Sequence, residues 1–151
     1  MENLPALDPQ TLLPTLLTIL PIVFVIVLIP AILLDVILHR ALSRCAPSSR
    51  TMAPAMVWLG LLPLVGLFWP FRVVKAVATS LHNEFVRRGI AEEAAPGKTL
   101  GMAWATLSLL SAIPLVNFVT ILPAAVCWAL YCIRIAVLTR KLDDNAAVIP
   151  A

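Results

Sequence analysis

"LSAIPLVNFV", residues 110–119, interrupts an apolar stretch, residues 99–133, that contains no Asp, Glu, Lys, Arg or His. As one straight helix that stretch would measure about 50 Å at about 1.5 Å per residue. A hydrocarbon core is only about 30 Å thick, so the chain has to turn back on itself. The quoted residues supply the means. Pro114 cannot donate a backbone hydrogen bond, it pushes Ile113 toward extended geometry, and Asn117 tolerates turn conformations. The expectation is a helical hairpin with "IPLVN" at its tip and arms over residues 99–113 and 118–139.

The same Pro-Leu-Val core occurs earlier in "LGLLPLVGLF", residues 59–68, with Pro63 and Gly66 where the later copy has Pro114 and Asn117. Residues 51–71 are again free of charged side chains. A second hairpin, broken at Pro63, follows from the same reasoning. Its first arm, residues 51–62, spans only about 16 Å, so full crossing and re-entry both remain open. Either form returns Arg72, Lys75, Arg87 and Arg88 to the side from which the segment entered, whereas a single crossing would strand them opposite the other basic residues.

Upstream lies "LLPTLLTILPIVFVIVLIPAILL", residues 12–34, long enough to cross a bilayer once and expected to kink at Pro21 and Pro30. Glu2 and Asp8 precede it with no Lys or Arg, unlike the basic start of a cleaved signal peptide, so the span is expected to be retained. His39, Arg40, Arg44 and Arg50 follow it. The positive-inside rule then places the amino terminus outside and the basic loop, the "AEEAAPGK" loop and the carboxy terminus in the cytoplasm. Composition agrees: the chain of 151 residues is 61% hydrophobic and 13% charged. Its net charge of +3 resides beside the apolar runs, and no basic patch interleaved with aromatic residues suggests nucleic acid.

After Pro70 the pattern becomes that of an amphipathic helix. Arg72, Lys75, Thr79, His82 and Asn83 form one stripe, and Phe71, Val74, Ala78, Leu81 and Phe85 the other. Gly89 is its expected carboxy-terminal cap, and Thr99 the expected amino-terminal cap of the next helix. The fold class is thus an all-α integral membrane protein forming one membrane domain, residues 1–151. It comprises a first transmembrane helix (1–40), a hairpin or re-entrant segment with an amphipathic interfacial helix (51–89) and a transmembrane hairpin (99–141).

The segment "MAPAMVWLGLLPLVGLFWPFRVVKAVATSLHNEF" resembles one in small bacterial multi-pass inner-membrane proteins classed only as domains of unknown function. The resemblance rests on Pro54, Val57, Trp58, Pro63, Trp69, Ser80, Leu81, Glu84 and Phe85, and "CWALYCIRIAVLTRKL" resembles their closing helix. It extends over residues 38–142 and departs at Gly66, where those proteins often carry Asn. It implies a bacterial inner-membrane location and no activity.

Asp35 is the carboxylate nearest the end of the first span, where an ionisable group is a functional candidate; its expected role is a structural ion pair with Arg72 or Lys75, or a simple interfacial position. Asp35, His39, His82 and Glu84 include metal-ligating types, but no dense ligand motif supports a site. Cys45, Cys127 and Cys132 form no CxxC pair and read as small apolar side chains. Thr106, Ser108, Ser111 and Asn117 read as helix-to-helix packing groups, and Trp58, Trp69, Trp104 and Trp128 as interfacial anchors or packing groups. No catalytic constellation, cofactor site or metal site is expected. The leading functional expectation is a non-catalytic accessory or scaffold subunit, partnered by the bilayer and by another membrane protein or copies of itself. The alternative is a small ion or solute channel or transporter subunit acting as an oligomer.

Overall fold

A computed structural model describes residues 9–62, 64–90 and 92–146. The described elements are all helical: α1 (Pro9–Arg44), two 3-10 helices (Pro54–Leu61 and Val65–Leu67), α2 (Trp69–Arg87), α3 (Lys98–Leu110) and α4 (Pro114–Ala146). Two stretches, Leu12–Arg44 and Pro114–Asn145, are long and apolar enough to cross a membrane by length and composition. The chain divides into two compact units, Met1–Leu33 and Leu34–Ala151.

The described part of the first unit is the leading portion of α1, which stays helical through Pro14, Pro21 and Pro30. Each proline lacks the N–H that would bond the carbonyl four residues earlier, so each frees one backbone acceptor. Leu13, Leu16, Leu17, Leu20, Phe24 and Val27 are all more than 60% exposed. A helix with exposed apolar side chains on every face is compatible with an apolar surrounding.

In the second unit, Leu34, Leu38 and Leu42 of α1 pack with Val74, Val77, Leu81 and Phe85 of α2 and with Tyr131, Ile135, Leu138 and Leu142 of α4. Each set repeats at three or four residues, which puts it on one helix face. α3 runs antiparallel beside α4. Gly97, with φ of 72°, sits against Ile135, Gly101 sits against Tyr131, and Ser111 Oγ is 2.7 Å from Thr120 Oγ1. A Cβ on Gly101 would fall 2.7 Å from Val74 Cγ1 and 2.8 Å from Tyr131 Cε2, so glycine allows the three helices to meet there. Trp104 stacks on Tyr131, with centroids 6.3 Å apart.

Several boundaries differ from the sequence expectation. The link from α3 to α4 is residues 111–113, and Pro114 is the first residue of α4, where its missing N–H removes no helical bond. Asn117 is therefore not a turn residue: it lies in the first turn of α4 and its N–H donates to the Ile113 carbonyl at 2.9 Å. α3 has 13 residues and spans only about 20 Å. Thr99 is not a cap; Gly97 holds that position without a side-chain bond.

Between residues 54 and 67 two 3-10 helices stand in place of the expected α-helical hairpin. Gly60 and Gly66 are poor α-helix formers, and a Cβ on Gly66 would overlap the Gly60 carbonyl, a close approach α-helical arms would not make. Pro63, the expected tip, lies outside the described residues. The amphipathic helix and its cap do appear. Gly89 has φ of 68°, its N–H donates to the Val86 carbonyl at 3.1 Å, and the Ile90 N–H donates to the Phe85 carbonyl at 2.9 Å. These are the two bonds of a Schellman ending, with Ile90 packed on the core.

Candidate functional site

Among the described residues of the second unit two carboxylates are buried, Glu84 and Asp35. Glu84 lies on the apolar face of α2 and is fully buried. Arg87 donates to it through Nη2 at 2.5 Å and Nε at 3.2 Å, Arg88 through Nε at 2.6 Å, and the Ala46 backbone N–H at 3.0 Å. Arg88 then donates to the Leu142 carbonyl at 2.7 Å and the Arg44 carbonyl at 3.3 Å. One guanidinium thereby joins α2 to the last carbonyl of α1, a group that a helix leaves without an internal partner, and to a carbonyl near the end of α4.

Burial alone would raise the Glu84 pKa. Hydrogen bonds from Arg87, the Ala46 N–H, Ser49 and Arg88 outweigh it and hold the carboxyl at about 2, so it is a permanent anion near neutral pH. The segment after α1 is fastened to α2 by further polar bonds. The Thr51 N–H donates to Ser80 Oγ at 2.9 Å, Thr51 Oγ1 donates to the Ala76 carbonyl at 3.0 Å, and Asn83 Nδ2 donates to the Ser49 carbonyl at 3.3 Å. Burial first, and the Glu84 charge second, push the Cys45 thiol up to about 11, which leaves it unreactive.

Ion pairs close the same end of the unit. Arg44 meets Asp143 at 2.9 Å, Glu92 meets Lys141 at 2.6 Å and Arg134 at 3.6 Å, and Glu93 meets Arg134 at 3.2 Å. With its lone pairs occupied by donors, Glu84 is suited to clasping helices rather than to receiving a proton.

Asp35 is the contrasting case. It is buried beside a cavity of about 20 Å³ walled mainly by Leu34, Leu38, Val57, Gly60, Trp69 and Trp104, and its Oδ2 has no hydrogen-bond partner among the described residues. That volume admits about one water molecule. The expected pair with Arg72 or Lys75 is not formed. Val73, Val74 and Val77 point α2 into the core, which turns Arg72 and Lys75 to the exposed side, and the Arg72 guanidinium lies over the Trp69 ring at 5.7 Å. His39 turns from Asp35 to the Pro54 carbonyl, with Nδ1 at 3.1 Å. Asp35, His39, His82 and Glu84 do not gather as metal ligands, and no group of three such side chains does so among the described residues.

Of the expected tip residues, Gly66 lies in the second 3-10 helix, while Pro114 and Asn117 lie in the first turn of α4. The residue that sequence reading undervalued is Glu84, with Arg88. Its signal was a carboxylate inside the Val77–Leu81–Phe85 stripe, followed by arginines three and four positions later. No family model, curated protein or solved structure matches the chain.

Proposed function

We propose that this chain is a non-catalytic accessory or scaffold subunit of a larger membrane complex. The carrying observation is how its surface and its polar groups are divided. On α4, Leu115, Phe118, Val119 and Leu122 are at least 74% exposed, as is usual for side chains meant for lipid or a partner helix. The polar groups around Glu84, in contrast, are engaged with one another and offer no open acid, base or nucleophile.

The finer reading is a multi-pass protein of the bacterial inner membrane, in keeping with the resemblance of residues 38–142. α1 and α4 would cross, α3 would be the short partner of α4 in a hairpin, and α2 would lie at the interface. The amino terminus would be outside and the carboxy terminus cytoplasmic. Arg88 supports this arrangement, because it touches carbonyls near the carboxy-terminal ends of both α1 and α4. The test is purification of the tagged chain in mild detergent, with co-elution at fixed stoichiometry with a larger membrane protein as the expected result.

The second reading, a small channel or transporter subunit acting as an oligomer, draws on Asp35, a buried carboxylate with an unpartnered oxygen at a cavity. A homogeneous homo-oligomer whose liposome flux is abolished by Asp35→Asn would replace the first reading with this one.

A further inference from the structure

A cleft of about 240 Å³ opens between the final turns of α1 and α4, lined by Ile37, Arg40, Ala136, Thr139, Arg140 and Asp143. Its charges do not balance. Asp143 is already paired with Arg44 at 2.9 Å, which leaves the exposed Arg40 and Arg140 with no ion-pair partner among the described residues. A guanidinium presents planar N–H donors that match the oxygens of a phosphate, and two of them converging on one cleft make an anion site. One floor group is unavailable to a ligand as a donor, because the Thr139 hydroxyl donates to the Ile135 carbonyl at 2.8 Å.

Apolar surface adjoins these arginines. Val36 lies four residues before Arg40 on α1, and Ile133 and Val137 lie seven and three residues before Arg140 on α4, all three at least 42% exposed. A charged rim followed, one to two turns earlier, by exposed aliphatic side chains is complementary to a molecule with an anionic head and a hydrocarbon tail. We propose that Arg40 and Arg140 bind the phosphate of an anionic membrane phospholipid, whose acyl chain lies along Val36, Ile133 and Val137. A free phosphate would use the guanidiniums and leave the aliphatic strip uncovered, so the lipid is the occupant that fits both halves. This inference rests on α1 and α4 being embedded in a membrane.

The test uses the full chain in mild detergent, titrated separately with dioleoyl-phosphatidylglycerol, dioleoyl-phosphatidylcholine and inorganic phosphate, with adducts followed by native mass spectrometry. The anionic lipid is expected to bind about tenfold or more tightly than the zwitterionic one, from roughly 1 kcal/mol per basic residue at the surface. The double change Arg40→Gln with Arg140→Gln is expected to erase that preference, each single change to reduce it, and Lys75→Gln on exposed α2 to leave it intact. Retention of the preference in the double variant, or equal loss with Lys75→Gln, overturns the site. Inorganic phosphate binding as tightly as the anionic lipid overturns the lipid assignment. Alkali-resistant recovery in the membrane fraction checks the underlying reading separately: an embedded chain without the preference defeats the lipid site alone, and an alkali-released chain defeats both.

Discussion

The surroundings of Glu84 and Asp35 solve the same problem in opposite ways. Both carboxylates are on otherwise apolar helix faces and both are buried. Glu84 has its partners built into the next turn of its own helix, Arg87 and Arg88, plus a backbone N–H from the segment after α1. Asp35 has His39 one turn on, but that ring is committed to the Pro54 carbonyl, leaving Oδ2 beside a cavity. A buried charge stabilises only when its donors are present, so the first carboxylate is an anchor while the second is a cost the fold carries.

The largest effect should follow from removing the anchor. Glu84→Ala leaves Arg88, whose side chain is only 15% exposed, without its anion, and leaves the Ala46 N–H without an acceptor. Unfolding in mixed micelles should show a loss of about 3 kcal/mol, the low end for breaking a buried pair because Arg87 is half exposed and recovers water. A loss below about 1 kcal/mol would remove the contrast with Asp35. The pH dependence sharpens the same point. Glu84 is held at about 2, below the ordinary 4.5, so its contribution is complete above about pH 4.5 and is lost as pH falls toward 2. The stability gap between the native chain and Glu84→Ala should therefore be flat from pH 7 to about 4.5 and narrow below it.

These contrasts also mark what the sequence could convey. The uncharged runs, the amphipathic stripes of α2 and the Gly89 ending depend on local periodicity and local turn chemistry, and were legible. The position of Pro114 was only half legible: a proline ahead of an apolar run fits a turn tip and a first helical residue equally, and which applies depends on where α3 stops. The 3-10 geometry of Pro54–Leu61 and Val65–Leu67 depends on the approach of Gly60 and Gly66, a contact no periodicity reports. Asp35 was misjudged for a related reason. Arg72 and Lys75 were the nearest cations in helical phase with one another, but the rotation of α2 is set by Val73, Val74 and Val77 entering the core.

A smaller effect, of opposite sign, is expected at Asp35. Leucine is close in reach, removes the unpartnered oxygen and adds apolar atoms beside a small cavity lined by Leu34, Leu38 and Trp104. Asp35→Leu should stabilise by about 1–2 kcal/mol in the same micellar unfolding, since an unsatisfied buried polar group carries a penalty of that order. Destabilisation as large as that of Glu84→Ala would mean that Asp35 has acquired a partner, from a lipid, an ion or another subunit, and that its isolation belongs only to the single chain.

The smallest effect is the coupling between Asp35 and Lys75. In a buried ion pair, Asp35→Asn and Lys75→Met would each strand a charge, and the double change would recover part of the loss. Here Lys75 lies on the exposed face of α2 while Asp35 lies beneath the opposite, valine-bearing face, and their removal should be additive to within about 0.5 kcal/mol. The same limit should hold for Arg72→Met, whose guanidinium is engaged with the Trp69 ring. A double-mutant cycle on purified protein decides it. Coupling above about 1 kcal/mol with Lys75 would require α2 to rotate until its basic stripe faces α1, and that rotation would withdraw Glu84 from the Ala46 N–H. The weakest expected interaction therefore tests one bond of the strongest: Glu84 carries Arg87 and Arg88 with it in any rotation of α2, but its bond from the Ala46 N–H holds only while the valine-bearing face is turned to the core.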